Sequence, residues 1–249
     1  MDIVLCTPTY KRFDLCWSLV KSAMAGTVKP IHIIVWDNSG NGFQEYLVKE
    51  GIELPEHVHV INSGVNRGCA YPWNRMIKLV YDLFGKDAYV VMSNDDIELH
   101  EDTLEVFVRS VSEKPDRVIH CLAGLNAFSL FCTRYDLMSE SVGMFDERFM
   151  YPYCEDGDYA RRLWLWGQEI EQIVGIEVGH VGSATLKSYN AVEESYHHAY
   201  FTRNAQYFQL KWGVNHNSIY SVDGYTKPFN GDETEEEMAM SYIRNQFGE

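Results

Sequence analysis

The sequence predicts an α/β fold, a mainly parallel sheet flanked by helices. Between residues 2 and 114, short apolar runs rich in β-branched residues alternate four times with segments of helical spacing. Strand–helix–strand repetition of that kind builds parallel sheets. The polar, glycine-bearing and acidic stretches "TPTYKR", "DNSG", "NSGVNRG" and "NDD" follow the apolar runs. In such sheets ligands sit outside the carboxyl ends of the strands.

The elements can be taken in order. "DIVLCTPTY" opens as a buried strand that ends at Pro8, and "DLCWSLVKSAMAG" continues with helical spacing to a stop at Gly26. "IHIIVWDNSG" is a second strand closed by the turn formers Asp37, Asn38, Ser39 and Gly40. "GFQEYLVKEG" is a short helix and "HVHVINS" a third strand. "CAYPWNRMIKLVYDLFG" is a helix stopped at Gly85, and "DAYVVMSNDD" is a strand that finishes on carboxylates. "HEDTLEVFVRSVSEK" is helical again. After residue 120 the alternation changes. "VIHCLAGLNAFSLFCTRYDL" suggests strands separated by small residues, followed by one further strand around "IEQIVGIEVGHVGS" and a long polar-aromatic helix near 190–212. "FNGDETEEEMAM" reads as a solvated surface run with no chemistry in it.

Totals narrow the function. A chain of 249 residues can bury a sizeable core. Its net charge of −15 argues against a broad basic surface for nucleic acid or for an anionic membrane. The six cysteines are scattered without a C-x-x-C pair, as suits free thiols in a reducing compartment. The start "MDIVLCTPTYKR" does not read as a signal peptide, and no run approaches the ~18 apolar residues of a membrane span. A soluble, cytoplasmic protein is the expectation. Aromatic content is high, at 14%; such rings line sugar or base sites, but more often they fill cores.

Two acidic segments invite a chemical reading. Asp95 and Asp96 finish an apolar strand, and adjacent carboxylates repel unless a cation or donor compensates. Oxygen ligands favour a hard divalent ion such as Mg²⁺ or Mn²⁺, which would in turn hold a substrate diphosphate. "YPYCEDGDYARRLWLWG" places Glu155, Asp156 and Asp158 ahead of an amphipathic helix, where acids also suit a first turn as caps.

Taken with "DNSG", "NRGCAYPWN" and "GHVGSAT", these segments stand in an order that resembles the family 2 glycosyltransferases with the GT-A fold. The resemblance covers roughly residues 2–187. It implies a metal-dependent, inverting enzyme that moves a sugar from a nucleotide diphosphate to a hydroxyl acceptor, in glycan or polysaccharide synthesis. Pro8, Thr9, Tyr10 and Arg12 would lie near base and ribose, and Asp37 would hydrogen-bond the base. Asn66, Arg67, Gly68 and Asn74 would lie near donor ribose, diphosphate or sugar. "NDD" looks like the family's D-x-D-type motif: Asp96 would bind Mn²⁺ or Mg²⁺, and Asp95 would face ribose or sugar hydroxyls. Asn94 stands where the family often has Asp. His180 would complete the metal or diphosphate site. "EDGD" is similar to the family's E-D motif, which makes Asp156 the base and Glu155 its orienting neighbour or an acceptor contact. Asp158 is left as the helix cap, and Tyr151 and Tyr153 fall on the acceptor side. The implied domain is residues 1–215, with a nucleotide-sugar half to about 120, an acceptor half to 215 and an extension over 216–249. UDP, dTDP and GDP sugars are candidate donors; a glycan or another hydroxyl compound is the acceptor, and nucleic acid is disfavoured.

Two other readings use the same residues. A sugar nucleotidyltransferase would need basic residues around a triphosphate and would leave "EDGD" without a task. A non-catalytic sugar- or nucleotide-binding module has no need of "NDD", "EDGD" and His180 together.

Overall fold

The computed structural model describes residues 1–124, 127–151, 153–182 and 185–247. The first half follows the expected alternation: β1 (Asp2–Thr9), α1 (Phe13–Ala25), β2 (His32–Asp37), α2 (Gly42–Lys49), β3 (Val58–Asn62), α3 (Ala70–Phe84), β4 (Ala88–Ser93) and α4 (Thr103–Glu113). Strands β1, β2, β3 and β4 pair in parallel. Successive residues of these strands are buried on opposite faces. Ile3, Leu5, Ile33, Val35 and Val91 pack under α1, α2 and α4, while Val4, Cys6, Ile34, Val90 and Met92 pack under α3. A sheet covered on both faces needs continuously apolar strands, which is why these runs do not alternate with polar residues.

The second half turns the sheet antiparallel. It contains β6 (His120–Leu122), β7 (Leu130–Thr133), α5 (Tyr135–Ser139), α6 (Glu155–Leu165) and β8 (Glu171–Ile173). The described residues form a seven-stranded sheet ordered β3-β2-β1-β4-β7-β6-β8. Strand β7 runs antiparallel to both β4 and β6, and β8 runs parallel to β6.

Two expectations need correction here. The segment 170–182 holds two strands, not one: β8 joins the main sheet, and β9 (Val178–His180) pairs antiparallel with β5 (Ile97–Leu99) in a separate ribbon. Gly175, at φ +80, turns the chain between them. The charge run is also more than solvated surface. Its Phe229 is buried, and the acids open α8 (Glu233–Phe247), which buries Ala239 and Ile243 at a four-residue interval. This helix packs on α7 (Ala191–Trp212), which starts at a capping box between Asn190 and Glu193.

Buried charge joins α7 to α6 and to the loop before it. Lys211, 3% exposed, sits 2.7 Å from Asp146 Oδ2 and 2.6 Å from Asp158 Oδ1. Tyr207 Oη donates to Asp146 at 2.9 Å and Trp212 Nε1 to Asp158 at 2.8 Å. Arg162 Nε donates to the second oxygen of Asp158, and its Nη atoms reach the carbonyls of Val142 and Met144. Further along α7, Asn204 Nδ2 donates to the carbonyls of Met150 and Tyr153, and Arg203 to that of Arg148. Asp158 is therefore not the helix cap expected of it. It lies one turn into α6, fully enclosed, and no side-chain cap bond is made at Cys154, the residue before the helix.

A buried ion cluster is costly to break, because removing one partner strands the others. Lys211→Met is expected to lower stability to urea by about 3–5 kcal/mol. Burial alone would raise the Asp146 carboxyl, but Lys211 and Arg148 outweigh it and hold the group below the usual range. A depressed acid stabilises the fold above its unfolded pKa, and that stability is lost as pH falls through the folded one. Wild-type stability should accordingly drop below about pH 4, and denaturation curves across pH should show a shallower drop in Lys211→Met.

Candidate active site

The carboxyl ends of β1, β2 and β4 and the loop after β3 open on a cleft of ≈ 360 Å³. Pro8, Thr9 and Tyr10 enter from β1, Asn38 from β2, Asn66, Gly68 and Cys69 from the loop before α3, and Asn94, Asp95 and Asp96 from β4. Glu155 and Asp156 enter from the first turn of α6, and His180 from β9. Thus the cleft lies at the sheet edge where the strand order predicts it.

Asp95 and Asp96 face different partners. Thr9 Oγ1 donates to Asp95 Oδ2 at 2.7 Å. Burial, with Asp96 alongside, pushes the Asp95 carboxyl up to about 7. Asp96 Oδ1 lies 3.3 Å from His180 Nε2. The ribbon register makes this meeting, since Ile97 pairs with His180 and the Val181 N–H donates to the Asp96 carbonyl. A carboxylate and an imidazole that converge suit Mn²⁺ or Mg²⁺. Such ions take few protein ligands and complete their shell with phosphate oxygens and water. Among the described residues no cage of three or more His, Cys, Asp or Glu side chains is present. The described wall of the cleft holds four carboxylates and contains neither Lys nor Arg, so the chemistry of the donor set fits a divalent cation.

Glu155 and Asp156 differ in surroundings. The Gly157 N–H donates to Asp156 Oδ1 at 2.7 Å. Burial raises the Asp156 carboxyl, and that backbone bond acts against the rise. Glu155 is 3% exposed, and its Oε2 is enclosed with no hydrogen-bond partner. Burial, then the charge of Asp156, pushes this carboxyl well above the usual range.

Five of the expected site residues do not line the cleft. Asp37 is enclosed, its oxygens taken by the Ser39 N–H and Oγ and by the Phe43 N–H at the start of α2. Asn74 clamps the 145–147 segment through Phe145 and Glu147. Arg12 pairs with Asp14. Arg67 lies over the Tyr71 ring at 4.8 Å, and Tyr151 stacks on Tyr200 at 4.3 Å. Tyr153 does reach the cleft, edge-on to His197. Ser183 and Ala184 of the "GHVGSAT" segment lie outside the described residues.

Sequence reasoning passed over several wall residues. Asn38 holds the Gly68 loop through its Nδ2, and its place beside Asp37 at a strand end was a usable signal. Trp73, Phe128, Leu186 and Tyr189 carry no such mark, because only the folded chain brings them to the cleft.

A Rossmann-like sheet with paired acids at its switch edge, an imidazole from a side ribbon and acids on the helix opposite define a GT-A glycosyltransferase. The chain belongs to glycosyl transferase family 2, whose sequence model matches residues 4–165. Solved structures agree on the fold. A mannosyltransferase, PcManGT from Pyrobaculum calidifontis, in complex with GDP-Man and Mn²⁺, superposes with a TM-score of 0.59 at 12% identity over 97% of this chain and 69% of that one. S. aureus TarS 1–349 gives 0.56 at 13% identity, covering 98% and 80%. The same fragment in complex with UDP-GlcNAc gives 0.51 at 14%, covering 88% and 69%. No curated protein matches the sequence. Among the described residues no helix is long and apolar enough to cross a membrane.

Gly68 offers a test of the cleft's construction. Its φ is +74, and a Cβ there would stand 2.6 Å from the Tyr151 backbone. Gly68→Ala should cost roughly 2 kcal/mol or more from backbone strain and overlap together. Thermal melts measure the loss, and a variant as stable as the wild type would contradict the contact.

Proposed function

We propose that the protein is a metal-dependent, inverting glycosyltransferase that takes a UDP, dTDP or GDP sugar and glycosylates a hydroxyl of a glycan or similar acceptor in the cytoplasm. The observation that carries this reading is the charge of the cleft. Among the described residues its wall carries Asp95, Asp96, Glu155, Asp156 and His180 and no Lys or Arg, so a cation held at Asp96 and His180 would offset the charge of a bound diphosphate. Asp96 and His180 would hold Mn²⁺ or Mg²⁺. When bound, the ion supplies positive charge that favours departure of the nucleoside diphosphate. The GDP-Man, Mn²⁺ and UDP-GlcNAc complexes of the structural neighbours support the donor class.

The chain's own residues do the rest. Pro8, Thr9, Tyr10, Asn66, Gly68, Asn94 and Asp95 line the cleft and would border the donor. Asp37 braces the turn into α2, the Arg67 N–H donates to Asn38 beside it, and Asn74 ties α3 to the 145–147 segment. Arg12, outside the cleft wall, extends the nucleotide edge. Asp156 takes the proton of the acceptor hydroxyl. The oxygen forms its bond to the anomeric carbon as the bond from that carbon to the diphosphate oxygen breaks, and the diphosphate leaves with the electron pair. One base on the face opposite the leaving group gives inversion. Tyr153 borders the acceptor side, and Tyr151 supports it through Tyr200. Residues 1–120 form the donor half and 121–215 the acceptor half of the catalytic domain, with 216–249 as its extension. A nucleotidyltransferase is disfavoured by the acidic wall, and a binding module gives no task to Asp156.

Removal of divalent ions with EDTA, or Asp96→Asn, is expected to abolish most sugar transfer while leaving the melting temperature near that of the wild type. Full turnover in either would exclude the metal-dependent reading. Asp156→Asn keeps shape but removes the proton acceptor, so transfer should fall by roughly 10²-fold or more with donor affinity little changed. Because the Asp156 carboxyl is raised, kcat/KM should decline on the acid side with an apparent pKa above the ~4 of an ordinary aspartate.

A further inference from the structure

We propose that Glu155 stands in the resting enzyme as a neutral carboxylic acid and donates a hydrogen bond to a hydroxyl of the bound sugar substrate, leaving Asp156 as the only anion of the pair. The second half of this inference rests on the glycosyltransferase reading; the first does not.

The geometry requires an uncharged group. Glu155 is the first residue of α6 and belongs to the cleft wall, yet it is almost wholly enclosed. Its Oε2 has neither water access nor a partner among the described residues. An ionised carboxylate is acceptor-only and needs donors at both oxygens, and an enclosed charge without them is among the costliest groups in a protein. Its own backbone N–H acts on the carboxyl, too weakly to offset burial, and the neighbouring side chains supply no cation. Asp156 and Cys154 flank it on its own segment. Cys69, at the start of α3, senses Glu155, Asp156 and Asp95 together. These are acids and thiols, and no Lys or Arg is among the described wall residues. The first turn of a helix favours an anion only modestly, and Asp156, with its backbone N–H bond, already holds that charge.

Protonation resolves the conflict. The enclosed oxygen becomes a carbonyl-type acceptor, whose lack of a partner is far less costly than that of a charge. The oxygen left to the cleft then carries an O–H. This places a donor next to the accepting carboxylate of Asp156. Saccharide hydroxyls both donate and accept, so Asp156 accepting and Glu155 donating from consecutive positions can fix a sugar without repelling its diphosphate.

Infrared difference spectra between the wild type and Glu155→Gln, without ligand at neutral pH, test the charge state directly. A protonated carboxyl C=O band that disappears in the variant is expected; a carboxylate band in its place would overturn the proposal. The role is tested by turnover of GDP-mannose and UDP-N-acetylglucosamine with Mn²⁺. Glu155→Gln, which retains a donor, should stay within about threefold of wild type, while Glu155→Leu should lose about tenfold or more, the scale of one hydrogen bond. Equal losses in both variants, or none in either, would remove the donor role, and melting temperatures separate such losses from misfolding. Absence of turnover in the wild type with both sugars would count against the enzymatic reading, and the infrared band would still decide the state of Glu155.

Discussion

The ammonium of Lys211 is the point on which the catalytic half of this molecule is assembled. It belongs to α7, yet it joins Asp146 in a loop and Asp158 on α6. It is the cation the two carboxylates share, alongside Arg148 on Asp146 and Arg162 on Asp158, and burying either acid with part of that charge removed is unfavourable. Because Asp158 lies three residues after Glu155 on a rigid helix, fixing one fixes the other. The same helix α7 takes the loop's carbonyls with Asn204 and Arg203. The entry to α6 is thereby held in an unusual backbone path, with Tyr151 at φ +57 and Cys154 at φ +82. Residues seldom adopt such angles unless their surroundings enforce them. The polar staples from α7 are that enforcement, and they aim the α6 terminus at the cleft.

This arrangement separates two electrostatic tasks. Behind α6, negative charge is matched by Lys211 and Arg162, and the result is cohesion. In front of α6, the acids stand without basic side chains in the described wall. The three acids of one short segment thus serve opposite ends: Asp158 inward, Asp156 and Glu155 toward the cleft. The separation follows from helical geometry, because Asp158 and Arg162 share the face turned to α7 at a four-residue spacing.

Legibility in the sequence followed the length of each signal. The β1–α4 half could be read because each strand there is an unbroken apolar run and each helix carries its own period. The three-residue strands β5, β6, β8 and β9 have no period to read and exist through pairing alone. Helix α8 was hidden because its acids mask two apolar positions four residues apart. In the site, Asp95, Asp96, Glu155, Asp156 and His180 do come together. Asp158 was misjudged because acids in a first turn usually cap, whereas its partners Lys211 and Trp212 lie more than fifty residues away in the chain. Asp37 and Asn74 illustrate the same limit, since only the folded chain reveals that their polar atoms are occupied by Phe43, Phe145 and Glu147.

The contact of Gly68 with the Tyr151 backbone carries a further meaning for how the protein can change over time. Each loop belongs to a different half of the chain, and each borders the cleft or supports its rim. With no side chain between them, the two backbones lie against each other like gear teeth without lubricant. A lengthened or redirected donor loop would displace the loop ahead of α6 by the same amount, and the reverse holds. The two rims are therefore coupled: a substitution that reshapes one calls for an accommodating change in the other.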